Sequence, residues 1–273
     1  MIVSASFHDD IPAFYGPWFM RRLAAGYCRT FDSQGLRFHR VALDRESVEG
    51  FVFWTRNARP FLASLKEIRR RGFPFIIQYG ITAEESDPAI ADLHAIGSAF
   101  GSRAAVWRYD PIVLAERPAA WHAQNFENLA RGLEGATDEV VVAYSPDQNG
   151  ETTEREEKRD LLKQLATLAA TRDMRLSVCS QPAYLVPGTN PARCIDARRL
   201  SAIAGREIAV ETRARWPGCL CAAALDIGAP LEKSLEVDGP ALVPRRRDHE
   251  EDGEFLVPPP ADLPEADAAT LPF

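Results

Sequence analysis

Short apolar runs alternating with helix-period segments constrain this chain more than any other feature. Ile2-Val3-Ser4-Ala5-Ser6, Gly50-Phe51-Val52-Phe53-Trp54, 73–79, 104–109, 139–144 and 175–179 have strand length, and most are continuously apolar. Strands of that kind are buried on both faces, as in a parallel sheet covered by helices. Between them come helical patterns: Phe14, Trp18, Phe19 and Leu23 before Gly26, then 60–71, 87–100, 119–133 and 154–171. A further extended segment lies around Phe38 to Leu43. One unit takes about 30 to 40 residues, the length of a βα repeat. The expected fold is α/β: a single TIM-like βα barrel with parallel strands, complete or with fewer than eight units.

That barrel domain is expected over 1–228, with a cysteine-containing segment at about 179–228. Here 180–193 carries Pro182, Pro187, Gly188 and Pro191 and reads as a loop, and a short helix follows Cys194-Ile195-Asp196. Beyond Gly228 the composition turns to Pro, Asp, Glu and Ala, with Pro258-Pro259-Pro260, so 229–273 is expected to be a flexible tail.

A net charge of -7 argues against a general binder of nucleic acid or anionic membrane. Arg69-Arg70-Arg71 and Arg245-Arg246-Arg247 read as solvated basic faces. The first residues enter a strand pattern without a signal-peptide layout, and no apolar stretch reaches membrane-spanning length. A soluble, cytoplasmic protein is expected. Five cysteines without framework spacing fit a reducing compartment, where thiols act as ligands, nucleophiles or core residues. Gly-rich phosphate loops, His-Glu-x-x-His, Gly-x-Ser-x-Gly and the kinase motifs are absent from the sequence. The partner left is a small-molecule substrate.

In a βα barrel the chemistry collects at the C-terminal ends of the strands. Arg108 and Asp110 stand two apart at such an end and share a face: the guanidinium can hold a carboxylate or phosphate, or simply pair with Asp110 at the rim. Trp54, Arg56, Asn57, Gln78 and Tyr109 are further candidates for substrate binding, although Trp54 also suits core packing and Asn57 a helix cap. His8, Asp10 and Asp110 are the candidate catalytic groups, as proton carriers or as ligands of a metal-dependent hydrolase or lyase. A rim histidine that only makes hydrogen bonds is the plainer reading of His8, and a packing role that of His122.

Cys219 and Cys221 are one residue apart, too close to close an ordinary disulfide with ease but able to reach one metal ion. With Cys179 and Cys194 they make four thiols that folding could gather, so Cys179, Cys194, Cys219 and Cys221 are the candidate metal ligands, for an iron-sulfur cluster or Zn(II). Small buried thiols are the alternative, and Cys28 reads as core.

Ser4-Ala5-Ser6, Asp10 to Gly16, Trp18-Phe19-Met20, Ala25 to Cys28, Phe53 to Asn57, Trp107 to Ile112, His122 with Phe126, Cys194-Ile195-Asp196 and Cys219-Leu220-Cys221 with Asp226-Ile227-Gly228, taken together and in this order, resemble the bacterial family of the domain of unknown function 1848 (DUF1848). The resemblance runs from residue 1 to about 228. It implies an iron-sulfur character for the dispersed thiols. It also implies a Cys-x-x-x-Cys-x-x-Cys cluster after Asp-Ile-Gly, similar to that of radical S-adenosylmethionine enzymes. This chain departs there: 229–243 contains no cysteine, so radical S-adenosylmethionine chemistry is not expected. An enzyme acting on a small polar or anionic metabolite is the first expectation, and a diverged, non-catalytic binding or scaffold protein the alternative.

Overall fold

The computed structural model describes residues 1–31, 38–82, 87–145, 152–213 and 218–228; the expected tail lies outside them. In chain order the elements are β1 (Ile2–Ala5), α1 (Gly16–Ala25), β2 (Tyr27–Phe31), β3 (Phe38–Ala42), β4 (Gly50–Thr55), α2 (Leu62–Arg70), β5 (Phe75–Gly80), α3 (Asp87–Phe100), β6 (Ala105–Ile112), α4 (Ala119–Gly132), β7 (Glu139–Tyr144), α5 (Thr152–Ala170), β8 (Arg175–Val178), β9 (Thr189–Pro191), α6 (Ala197–Ala204) and β10 (Ala224–Asp226).

Eight strands form one sheet in the order β10-β1-β4-β5-β6-β7-β8-β9. Every neighbouring pair is parallel. The parallel α/β architecture expected from the alternation is therefore present. The strands follow the cyclic order of a βα barrel, but β9 and β10 end the sheet instead of pairing, so it is not closed into a barrel. Residues 192–213 and 218–223 lie in sequence between those two short strands, outside the sheet. The segment near Phe38 is not part of this sheet: β2 and β3 form a separate antiparallel hairpin.

The side-chain period of two sorts the sheet's residues between two cores. Val3, Phe51, Phe53, Phe75, Ile77, Trp107, Tyr109, Val140 and Val142 face the main helices. Ile2, Val52, Ile76, Val106 and Val141 face the other way and pack on Ala192, Cys194, Ile195, Leu200, Cys219 and Cys221. This is why the strands are apolar at consecutive positions. One face is covered by helices, the other by the chain's own cysteine-bearing segment.

The helices follow from local chemistry. In α4, His122, Ala123, Phe126, Leu129 and Ala130 form one buried stripe. Phe126 stacks on Trp107 at 4.8 Å, and burying such a ring contributes about 2–3 kcal/mol. α1 ends where Gly26 takes φ 79°, a conformation that costs glycine little. At the start of α6, Asp196 accepts the amides of Arg198 and Arg199 at 2.9 and 3.0 Å. α6 is then pinned to the N-terminal edge of β7: Arg199 donates to Glu139 at 2.6 Å and forms an ion pair with Asp138 at 2.7 Å, and Glu139 also accepts from Arg175 at 2.7 Å and Ser177 at 2.6 Å. The Glu139 carboxyl is strongly desolvated, but Arg199 and the other donors outweigh burial and hold it below the ordinary carboxylate range.

Candidate thiol and guanidinium site

At the C-terminal edge of the sheet, the face covered by the cysteine-bearing segment carries a run of polar contacts crossing several strands. Asp226, at the end of β10, accepts a hydrogen bond from Ser4 Oγ at 2.7 Å. Ser4 Oγ in turn accepts from Trp54 Nε1 at 3.1 Å. Over the Trp54 ring lies the Arg108 guanidinium, with Cζ 5.2 Å from the centroid.

Arg108 is the hub. Its Nε and Nη2 both donate to the Asp110 carboxylate, Nη1 lies 3.4 Å from Gln78 Oε1, and the same Nη1 lies 3.1 Å from Cys194 Sγ. Gln78 closes the set by donating to the Cys194 carbonyl at 2.7 Å. The side chains of Arg108 and Asp110 are only 11% and 19% exposed. Burial works against the guanidinium charge, yet Cys194 and Asp110 more than offset it, so Arg108 stays fully charged.

Cys194 Sγ also lies 3.4 Å from Cys179 Sγ, and none of the five cysteines is in a disulfide. The hydrogen bond with Cys179 favours the Cys194 thiolate, but a hydrogen bond with Cys221 together with burial pushes this thiol up to about 11. Cys179 is held far above the ordinary thiol range, first by its hydrogen bond to Cys194 and then by burial. Cys219 and Cys221 are both buried in the core on this face, while Cys28 belongs to the helix-side core. Among the described residues no group of three or more His, Cys, Asp or Glu side chains is arranged to hold a metal ion. What the fold presents is a thiol pair flanked by a third thiol and a cation.

Trp54, Gln78, Arg108, Asp110, Cys179, Cys194 and Cys221 are thus brought together. Tyr109 is not: it points to the helix side, where its hydroxyl lies 3.0 Å from His122 Nδ1 and accepts from Asn125 at 3.1 Å, and burial pushes it up to about 12. His122 is a partner of that core tyrosine, and burial lowers its pKa. Asp10 caps a helical turn, accepting the amides of Ala13 and Arg56 at 2.9 Å each; burial raises its pKa despite those bonds. Asn57 accepts the Arg59 amide at 3.2 Å in the turn just before the helical turn at Arg59–Phe61, whose cap is Ala58, and Arg56 and Asn57 are exposed. His8 is exposed at the rim, its ring edge-on to Phe7, which packs edge-on against Trp54 at 5.1 Å.

Asp226 is the residue that the sequence-based candidates omit. Besides Ser4 Oγ it accepts the amides of Phe7 at 2.7 Å and Gly228 at 3.0 Å, so it joins the loop after β1 to the last strand. Gly228 is required beside it, because a Cβ there would overlap Ser6 Oγ and Cβ. Asp226-Ile227-Gly228 is thus a latch across the first and last strands of the sheet, and the tight Asp-x-Gly spacing was its signal in the sequence.

The family model described as a domain of unknown function (DUF1848) matches residues 2–230. No curated protein matches. Among solved structures, a chitinase from Chromobacterium violaceum is similar at 11% identity and a TM-score of 0.25, over 74% of this chain; the chain spans about half of that protein, 53%. Among the described residues no helix is long and apolar enough to cross a membrane.

Proposed function

The chain belongs to the DUF1848 family, and we propose that it is an enzyme acting on a small polar or anionic metabolite bound over the C-terminal edge of the sheet. The observation that supports this is the desolvated Arg108 guanidinium, stacked on Trp54 and shared by Asp110, Gln78 and Cys194. A cation in low dielectric attracts an anion far more strongly than one in water. Asp110, the more exposed partner, occupies the place that a substrate carboxylate or phosphate takes when it binds the fork. Gln78 orients the fork, and Trp54 with Phe7 forms an apolar wall. His8, at the rim beside Phe7, is the better-placed proton carrier, since the carboxylate of Asp10 is taken up in capping. The test is calorimetric titration of the full chain with a panel of small carboxylates and phosphates at low salt. Arg108→Ala is expected to weaken binding at least about tenfold, a loss of about 1.4 kcal/mol. His8→Ala should keep binding and lose turnover. A folded Arg108→Ala protein that binds as the wild type does removes the reading.

A second reading, a soft metal ion or iron-sulfur centre on Cys179, Cys194, Cys219 and Cys221, is favoured by the hydrogen bonds of Cys194 to both Cys179 and Cys221. It requires the sulfurs to close about one point. Anaerobic purification followed by iron, sulfide and zinc analysis decides it. Protein free of all three rules it out.

A further inference from the structure

We infer that Cys179 and Cys194 form a redox-active dithiol that closes to an intramolecular disulfide by exchange with a small-molecule disulfide, with Arg108 holding the resolving thiolate. This activity is separate from metabolite binding and does not depend on it.

The pair is built by sheet topology. β8 and β9 are adjacent and parallel, with Val178 opposite Pro191, and the ladder continues through the Ala192 amide to the Val178 carbonyl at 2.9 Å. Cys179 is the first residue past β8, held by its own amide to the Val142 carbonyl at 2.9 Å. Cys194 follows two residues after Ala192. Two neighbouring chain segments thus present their sulfurs to each other at 3.4 Å, both as free thiols. A disulfide needs about 2.05 Å, so closure asks for an approach of roughly 1.4 Å, within the reach of side-chain rotation.

The surroundings divide the roles. Cys179 is the more exposed sulfur and touches Ser180 Oγ at 3.7 Å; Cys194 is 5% exposed and has Arg108 Nη1 at 3.1 Å. An incoming disulfide RSSR therefore meets Cys179 first. The minor fraction of Cys179 that is ionised, small because this thiol is held above its ordinary range, attacks one sulfur after its proton has gone to solvent, and forms Cys179–S–S–R while RS⁻ leaves and is protonated. Cys194 then gives up its proton, and its thiolate, held by Arg108, attacks Cys179 Sγ; the second RS⁻ leaves and takes a proton. Two protein thiols and RSSR become one protein disulfide and two RSH, so the protein is oxidised by two electrons and the small disulfide reduced by two. Cys221, near enough to raise the Cys194 pKa, is the competing partner.

Wild-type full-length chain is equilibrated anaerobically at pH 8 in glutathione buffers of stepped reduced-to-oxidised ratio, acid-quenched, alkylated and mapped by peptide mass spectrometry. Two thiols should disappear together, with one new cross-link, Cys179 to Cys194, while Cys28 is alkylated throughout. Cys194→Ser should accumulate a glutathione adduct on Cys179; Cys179→Ser should give no comparable adduct on Cys194. Arg108→Gln should slow the resolving step about tenfold, seen as a longer-lived mixed disulfide. No cross-link in excess oxidised glutathione, a cross-link through Cys219 or Cys221 instead, or thiols locked by bound zinc or iron would each overturn the inference. The wild-type map needs no substitution, so a variant that misfolds does not decide the result. Metabolite binding by the reduced chain tests the proposed function separately.

Discussion

Ser4 Oγ donates a 2.7 Å hydrogen bond to Asp226 Oδ2, joining the first strand of the sheet to the last. The same carboxylate accepts the Phe7 and Gly228 amides. Asp226→Ala strands three donors and should cost about 2–4 kcal/mol, since each hydrogen bond to a charged group contributes about 1.5–3 kcal/mol and the site is partly solvated. Asp226→Asn, which keeps the shape, should cost less. Urea unfolding of both variants measures the difference.

Gly228→Ala should be destabilising for a different reason. Its Cβ would overlap the Ser6 side chain, and Ser6 Oγ accepts the His8 and Asp9 amides at 2.9 and 3.1 Å, so the loop carrying them must shift. Ser6→Gly in the same chain removes the overlap. The double variant is expected to melt higher than Gly228→Ala alone, which thermal unfolding checks.

At the other edge of the sheet, Glu139→Ala leaves Arg199 buried with Asp138 as its remaining ion-pair partner among the described residues. A buried charge deprived of its main partner typically costs about 3–5 kcal/mol. Asp138 retains part of the pairing, so the lower end is expected, again by urea unfolding. The carboxyl is held below its ordinary 4.5 in the fold, so its contribution is present above that pH and is lost as pH falls through the folded value.

The thiols set the alkaline limit. Cys194 rises from an ordinary 9.0 to about 11 in the fold. Below pH 9 folded and unfolded chains both keep the proton, and the contribution is whole. Between pH 9 and 11 the unfolded chain loses it first, so stability falls by about 2–3 kcal/mol. Cys179, shifted the same way, adds to the slope. Under reducing conditions, Cys179→Ser with Cys194→Ser should flatten the fall, as denaturant midpoints across that range will show.

Arg108 and Tyr109 mark how far the sequence could be read. Both stand at the end of one apolar run, and both are plausible site residues by type. The strand period sends them to opposite faces, and only the pairing of β6 with β5 and β7 shows that Arg108 faces the thiols while Tyr109 faces His122. The three-residue strands β9 and β10 are too short to carry a period, so Thr189–Pro191 reads as loop and Ala224–Asp226 as the flank of a cysteine motif. The hairpin of β2 and β3 escapes for a related reason: antiparallel pairing outside the main sheet leaves no mark distinct from a βα strand.

The βα alternation, the parallel sheet and the helix ends at Gly26 and Asp196 were determined by the sequence alone, because apolar period, caps and glycine conformations act over one or two turns of chain. The gathering of Cys179, Cys194 and Cys221 around Arg108, and the latch from Ser4 to Asp226, were decided by tertiary structure. These contacts join residues far apart in sequence. Their loop-closure entropy is offset only when the whole sheet assembles, and no local pattern records which distant partner will arrive.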